Sequence, residues 1–528
     1  MNSVTVVLVA LGGYRNISLR IMHSLLERIK GVNVHTIFFK DFEGRFFSHP
    51  TKKEKELFQE VINKLKPDLV GFSATYPYFP MSKTLIKIVR TCSPSSLIIL
   101  GGVYPTVDPE QCIKESDMLC VGEGEGVIIE LVEALRDKKP YHSVGSLWVR
   151  HDEKVIMNPM RPLLLDLDSL PFPSYGNPSY YFINKNKLTR KDSVLSNNEL
   201  YLITSRGCPF VCSYCINSLL RQVFKGLGPY TRRRSVDSII KEIKENLNLP
   251  GSGTNYIYFF DEVFSSDEKW LDEFCSQYKQ EIGLPFQVSY NPKELSDVIV
   301  KKLVNVGLDA INFGIQSGSD YIRNHIFNRA GKNREIIDFA RKISRYKIIM
   351  RHDMILDNPY ETEENLKEAV DLLLHLPKEL SMNLYSLQFF PNHPLTKKAV
   401  SDKRIVPIDT TDDSAIEKTA KNLGFVPTLL PYTRKMALQN IIWLIAGNHI
   451  KDSLVRYGVF GSSWGSRLCF FYMNFKAVIL GKIIGEGGIM ERSRFSVYFM
   501  KTMNYFIKGD FNGFWIRVKR RLRYQDSN

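Results

Sequence analysis

The sequence predicts two α/β units in tandem, a doubly wound sheet followed by a partial (β/α)6 barrel of the TIM type, and then a mostly helical C-terminal region. Three observations predict this. Residues 1–140 alternate short apolar runs with amphipathic stretches of helical period. A second series of about six such repeats starts near Leu200. Beyond residue 400 the alternation stops. In the first unit, strands are expected over Val4–Leu11, Asn33–Phe39, Leu69–Ser73, Ser96–Leu100 and Asp117–Val121. Helices are expected over Ile17–Ile29, Glu54–Leu65, Met81–Thr91 and Gly126–Arg136. Small or turn residues fall where those strands end: Gly12-Gly13, Ser73-Ala74-Thr75, Gly101-Gly102 and Gly122-Glu123-Gly124-Glu125. In open parallel sheets, ligands bind beyond those ends.

Residues 141–195 read as a linker with a small hairpin, Val144–Val149 and Lys154–Met157, before the Pro-rich run Leu170-Pro171-Phe172-Pro173. The barrel unit, residues 196–400, is expected to place strands at Leu200–Thr204, Tyr256–Phe260, Phe286–Tyr290, Ala310–Ile315, Ile348–Ile355 and Met382–Phe389. Its helices are expected at Val236–Asn246, Lys269–Gln280, Ser296–Val306, Asn333–Ser344 and Thr362–Leu376. Residues 401–528 form the basic, aromatic-rich C-terminal region.

Composition narrows the function. A 528-residue chain that is 44% hydrophobic and 24% charged can bury sizeable cores and is not a disordered class. The net charge of +15 is concentrated in the last quarter, where 20 Lys and Arg face 10 Asp and Glu from residue 401 on. Eight cysteines are too sparse for a disulfide scaffold. The N-terminus reads as a strand and lacks a basic leader, and no run of 18 apolar residues occurs, so a reducing cytoplasm is the expected compartment.

Three of the eight thiols cluster. Arg206-Gly207-Cys208-Pro209-Phe210-Val211-Cys212-Ser213-Tyr214-Cys215 spaces them as C-x3-C-x2-C at the end of the first barrel strand. Iron–sulfur clusters take thiolate ligands, and three of them leave one iron of a cubane open for a substrate or cofactor. A zinc site with a distant fourth ligand is the alternative, although no second ligand pair is visible. The motif resembles the signature of the radical S-adenosylmethionine superfamily, in which an aromatic before the third cysteine, here Tyr214, is common. The resemblance implies a [4Fe–4S] cluster on Cys208, Cys212 and Cys215, with S-adenosylmethionine on the open iron. It also implies an external reducing donor such as a flavodoxin or ferredoxin. Phe260-Asp261-Glu262-Val263-Phe264 resembles the family segment whose acidic residue meets the methionine amino group, making Asp261 and Glu262 candidates. Gly314-Ile315-Gln316-Ser317-Gly318-Ser319 resembles a cofactor-side turn, which carries over Gln316 and Ser317. Asp357-Asn358-Pro359-Tyr360-Glu361-Thr362-Glu363 resembles a late turn that opens a helix. The family's Arg near the strand at Phe286–Tyr290 is missing, since Tyr290-Asn291-Pro292 stands there; Arg323, Arg329 and Arg351 are possible replacements.

The glycine turns of the first unit together resemble the Rossmann-like cobalamin-binding domain that precedes many radical S-adenosylmethionine barrels. That implies cobalamin against Ser73, Thr75, Gly101, Gly102, Gly122, Glu123 and Gly124. Leu11–Asn16 contains no histidine, so no cobalt ligand is expected from that loop. Glu123 and Glu125 also suit a helix N-terminus regardless of function. The implied activity is methylation of an unactivated carbon of a small or lipid-like metabolite. A tetrapyrrole-cyclase-like ring closure or rearrangement is one alternative, and a non-catalytic cobalamin or cluster sensor is another. The aromatic stretch Arg494–Ile507 and the basic stretch Phe514–Tyr524 suit either packing on the barrel or contact with an anionic membrane surface, and the aromatic residues also suit a hydrophobic substrate. No nucleic-acid signature is present.

Overall fold

The computed structural model describes residues 3–41, 49–151, 154–195, 197–377, 380–414, 416–417, 425–427, 433–460 and 464–485. The first unit runs β1 (Val4–Leu11), α1 (Ile17–Glu27), β2 (Val32–Phe39), α2 (Lys52–Leu65), β3 (Leu69–Ser73), α3 (Phe79–Cys92) and β4 (Leu97–Gly101). The short turns α4 (Val103–Val107) and α5 (Pro109–Cys112) follow, then β5 (Met118–Cys120) and α6 (Glu125–Asp137). These five strands pair in parallel in the order β5-β4-β3-β1-β2. Such strands are buried on both faces, and β1 obeys: Val6, Val7, Val9 and Ala10 are all inaccessible to solvent. Its alternate residues feed two cores, Val6 and Leu8 with Val127 and Leu131 of α6, Val7 and Val9 with Phe58 of α2 and Leu85 of α3. The chain reverses direction across the sheet at β1 and β3, so the ligand crevice of this topology lies beyond Leu11 and Ser73.

The segment expected to be a linker is woven into that sheet. The hairpin β6 (Leu147–His151) and β7 (Lys154–Met157) adds to β5 in antiparallel fashion. At the other edge β8 (Tyr180–Asn184) pairs in parallel with β2, and β9 (Lys187–Thr189) turns back on it, giving nine strands in all. Lys185 and Asn186 both take positive φ, as a two-residue primed hairpin turn requires. A buried ion pair ties this edge down. Arg20 of α1 donates to both carboxylate oxygens of Asp192, at 2.7 and 3.1 Å, and lies over the rings of Phe38 and Tyr175.

The second unit begins with β10 (Glu199–Leu202), a short strand β11 (Ser205–Arg206), α7 (Ile216–Val223) and β12 (Arg232–Arg233). It continues through α8 (Val236–Leu247), β13 (Tyr256–Phe259), α9 (Glu268–Glu281), β14 (Phe286–Tyr290), α10 (Asp297–Val304) and β15 (Leu308–Gln316). It closes with α11 (Asn333–Ser344), β16 (Ile349–Leu356), α12 (Glu363–His375) and β17 (Leu380–Ser386). Six strands, β10-β13-β14-β15-β16-β17, pair in parallel in chain order, as the six repeats predict, and curl into an open half-barrel. Outward-facing Ile257, Phe259, Val288 and Phe313 pack under the helices. Inward positions such as Gln287, Ser289, Asn312 and Asp353 are polar and face a cavity. β11 and β12 form a separate antiparallel ribbon that pinches off the loop carrying the cysteines.

Beyond α13 (Pro394–Ser401), the C-terminal helices α14 (Arg434–Ala446), α15 (Asp452–Phe460) and α16 (Trp464–Gly485) stack on one another, and α14 packs on α12 and β17. Trp464, Leu468, Phe471 and Phe475 make an exposed apolar stripe on α16 at helical spacing. No helix among the described residues is long and apolar enough to cross a membrane. The stretches 494–507 and 514–524 lie outside the described residues.

Candidate functional site

The cysteine loop is shaped by its first and last residues. Gly207 sits at φ +84°, and a Cβ there would lie 2.2 Å from the Tyr230 carbonyl oxygen, so only glycine lets the chain pass under that strand connection. Arg221 donates to the Cys208 carbonyl at 2.6 Å, and Ser213 is pinned by its backbone N–H to Phe327 O at 2.9 Å and by its hydroxyl to Ile326 O at 2.6 Å. Cys215 stands at the N-cap position of α7, with the Asn217 amide 3.8 Å from its Sγ. Tyr214 is wedged edge-on against Phe327.

The three thiols line one cavity of about 370 Å³, together with the ends of β13, β14, β15 and β16. Burial, reinforced by the Glu262 carboxylate and the neighbouring thiols, pushes Cys208 up to about 11 and raises Cys215 as well. Bare thiolates are therefore disfavoured here, and a cationic iron centre would relieve the penalty. Among the described residues, no group of three or more His, Cys, Asp or Glu closes around a single ion position. Thiolates of a cubane each take a different iron and need not converge on one point. The donor set fits the cluster.

The structure separates Asp261 from Glu262. Asp261 also lines the cavity but is buried and engaged: its Oδ1 accepts from the Thr204 backbone and hydroxyl, at 3.0 and 2.9 Å, and from Ser205 Oγ at 2.5 Å. It moors the start of the cysteine loop to β13. Glu262 stands open in the cavity wall, its carboxyl raised by burial and partly relieved by Asn217. Gln316 also lines the cavity, with φ at +67° where the β15–β16 register shifts, a strained conformation for a residue with a side chain. Ser317 points away and donates to Glu361 Oε1 at 3.2 Å. Gly318 lies so close to α12 that a Cβ would be 2.1 Å from Ala369 Cα. The two motifs Gly314–Ser319 and Asp357–Glu363 are therefore one packed unit, with Asn365 donating to Ser319 Oγ at 2.9 Å.

Of the three candidate arginines, Arg329 reaches the cavity. It donates to the Gly314 carbonyl at 2.8 Å and approaches Cys212 Sγ at 3.7 Å. Arg323 is consumed by Ser317 O, Asp320 and Asn333, and Arg351 by Gln287 at 2.5 Å.

A second cavity of about 440 Å³ lies in the crevice of the first unit. Ser73, Thr75, Gly101, Gly102, Gly122, Glu123 and Gly124 all line it. Its floor descends between the sheet and α1, past Leu8, Met22 and Ile99, and no histidine is among the described residues that line it. Gly71, in the middle of β3, keeps that floor open: a Cβ there would sit 3.3 Å from Leu8 and 3.4 Å from Ile99. An apolar groove with a hydroxyl and glycine rim fits a large ring with an aromatic tail and amide arms. Glu123 is not free to meet a ligand. One oxygen takes Arg206 at 3.0 Å, and the other takes Arg232 at 2.9 Å and the Leu164 N–H at 2.8 Å. Burial works against its charge, but Arg232 and Arg206 hold it below the usual carboxylate range.

Residues 202–373 match the family model of the radical SAM superfamily, and residues 4–132 match that of the B12 binding domain. The chain is a radical S-adenosylmethionine protein with a B12-binding domain. These two domains imply a [4Fe–4S] cluster, S-adenosylmethionine and cobalamin, the groups that the two cavities fit. Among relatives of this radical protein, an uncharacterized methyltransferase of Pyrococcus horikoshii is 26% identical over 64% of this chain and 70% of that protein. An anaerobic magnesium-protoporphyrin IX monomethyl ester cyclase of Cereibacter sphaeroides is 25% identical over 63% of this chain, which spans only 52% of it. The structure of the cobalamin-dependent radical enzyme OxsB with aqua-cobalamin and S-adenosylmethionine bound superposes with a TM-score of 0.65 at 16% identity, covering 98% of this chain and 83% of OxsB. That likeness establishes the fold of the radical protein across both units.

Sequence reasoning missed Gly71, Arg206, Leu220 and Phe224 as cavity residues. A glycine inside an otherwise apolar strand was the available signal for the first. No local signal marks the others, since the barrel brings them to the cavity of a different domain.

Proposed function

We propose that this radical S-adenosylmethionine protein is a cobalamin-dependent methyltransferase that acts on an unactivated carbon of a small molecule. The observation that carries the reading is α7: its N-cap Cys215 is in the wall of the cluster cavity, while Leu220 within it and Phe224 at its C-cap are in the wall of the second cavity. When bound, the cofactors supply a hydrogen-abstracting adenosyl radical and a transferable methyl group, and that chemistry is their own. The chain's residues hold and orient them. Cys208, Cys212 and Cys215 take the irons. Glu262 accepts from the methionine amino group, since Asp261 is spent on Thr204 and Ser205. Arg329 takes the place of the family's arginine that is missing near Phe286–Tyr290, and Gln316 shapes the cofactor side. Ser73, Thr75 and the glycines at 101, 102, 122 and 124 receive cobalamin, with Glu123 positioning rather than contacting it. Tyr214 is half-buried in the cavity wall and braced edge-on by the buried Phe327, which holds the cysteine loop in place.

The inner wall of the barrel bears on the substrate. Gln287, Ser289, Asn312 and Asp353 line the cavity below the strand ends. Asn312 Oδ1 is buried there with no hydrogen-bond partner among the described residues, and an apolar molecule would leave it so, at a cost of about 1–3 kcal/mol. This supports a small polar substrate over the lipid-like one suggested by the aromatic C-terminal stretches. Ring closure is the second reading, supported by the similarity to proteins named as cyclases. The test is anaerobic reconstitution with S-adenosylmethionine and methylcobalamin. 5′-Deoxyadenosine release together with a product heavier by one methyl supports the proposal, and a product lacking the added methyl supports cyclisation. Cys212→Ala should abolish the release, and persistence of cleavage in that variant refutes the ligand assignment.

A further inference from the structure

Both covalent exits from the cysteine loop end on the cobalamin cavity. Upstream, Arg206 lies two residues before Cys208 in the β11–β12 ribbon, directly across from Arg232. Its guanidinium donates to Glu123 Oε1 at 3.0 Å and to Glu125 Oε1 at 2.5 Å. Arg232 donates to Glu123 Oε2 at 2.9 Å and to the Leu164 carbonyl at 2.8 Å. Glu123 and Glu125 belong to the Gly122–Glu125 turn, which lines the cavity as Arg206 does. Downstream, α7 runs from Cys215 for eight residues, about 12 Å at 1.5 Å per residue, and Phe224 follows it. A Cβ on Gly122 would touch the Phe224 ring at 3.4 Å, so this end of the loop also rests on the same turn.

The charges balance, two guanidinium groups against two carboxylates, and three of the four side chains are less than a quarter exposed. A helix N-terminus alone would account for Glu125, but not for a fork that takes both carboxylates onto a residue two positions before the first cluster cysteine. The turn that shapes one cavity and the loop that shapes the other cannot move independently while this fork is closed.

We propose that Arg206 is a positioning residue that couples the two cofactor sites, so that seating the iron–sulfur cluster tightens cobalamin binding and cobalamin in turn retains the cluster. The inference rests on the two-cofactor reading above. Because linkage is reciprocal, each cofactor changes the other's affinity by the same factor. An ordinary structural ion pair would lower stability when removed and leave that factor untouched.

The test titrates hydroxocobalamin, followed by its visible absorbance, into cluster-free full-length chain and into anaerobically reconstituted chain. The wild type is expected to bind about tenfold more tightly once the cluster is loaded, within the usual 5–150-fold range of site coupling. In Arg206→Met the two affinities should converge, and Arg206→Lys, which keeps the charge but not the fork, should recover only part of the ratio. Iron retained against a chelator, with and without hydroxocobalamin, should report the same factor from the other side. If Arg206→Met does not fold, Glu125→Gln carries the same comparison. A wild-type ratio of one, or a ratio unchanged in the variants, overturns the coupling while leaving the cofactor reading intact. Failure of both wild-type forms to bind hydroxocobalamin overturns the two together.

Discussion

Glu361→Gln should stabilise the barrel, and more so the higher the pH. Glu361 is 5% exposed; Ser317 serves one carboxyl oxygen, and the other has no hydrogen-bond partner among the described residues. Burial pushes its pKa up to about 8, against an ordinary value of 4.5; Ser317 and Lys435 lower it only in part. Since the folded value lies above the unfolded one, the native state binds the proton more tightly. The advantage is complete below pH 4.5 and is lost progressively as pH rises through the interval to 8. At pH 7 the unfolded carboxyl is ionised and the folded one is not, which costs the native state about 3 kcal/mol relative to acid. The full 3.5-unit difference, reached above pH 8, is worth about 5 kcal/mol at 1.36 kcal/mol per unit. Glutamine keeps the Ser317 contact and cannot ionise. Differential scanning calorimetry of both proteins from pH 4 to 9 should show midpoints that coincide near pH 4. By pH 7 the variant should melt higher by about 6–12 °C, at about 2–4 °C per kcal/mol for a unit of this size. A difference that stays flat across the range would refute the reasoning, because it would mean that Glu361 does not titrate between those values.

Three further substitutions probe other parts of the argument. Gly207→Ala places a methyl against the Tyr230 carbonyl at positive φ, so reconstituted iron content should fall sharply, with about 1–3 kcal/mol of strain in the loop; wild-type iron loading would contradict the tight passage. Gly71→Val fills the floor of the second cavity against Leu8 and Ile99, and equilibrium dialysis should find hydroxocobalamin uptake lost, with the circular dichroism spectrum unchanged. Unaltered uptake would mean that the ligand does not reach that depth. Arg20→Met strands a buried Asp192 carboxylate and should cost about 3–5 kcal/mol in chemical denaturation of the first unit, whereas a loss under 1 kcal/mol would deny the pair its role at the sheet edge.

The motifs and the strand–helix rhythm are local properties, and the sequence alone determined them. The five parallel strands expected in the first unit were legible from their apolar runs, because a strand buried on both faces needs continuous hydrophobicity over a few residues. The barrel strands, polar on their inward face, were legible instead from the strand–helix repeat. The cysteine spacing is likewise read within eight positions. The turn at Gly122–Glu125 was visible too, but its carboxylates suited a helix start equally well, and only the neighbouring domain shows what they bind. Tyr180–Ile183 went unrecognised in the segment taken for a linker, since its partner β2 lies about 140 residues earlier. Tertiary structure alone also decided that Asp261 is moored while Glu262 is left exposed in the cavity wall, that Arg329 rather than Arg323 or Arg351 reaches the thiols, and that Arg206 and Phe224 wall a pocket in a different domain. Each of these is a question of which way a side chain points after distant segments meet, and the distances that answer it exist only in the folded chain.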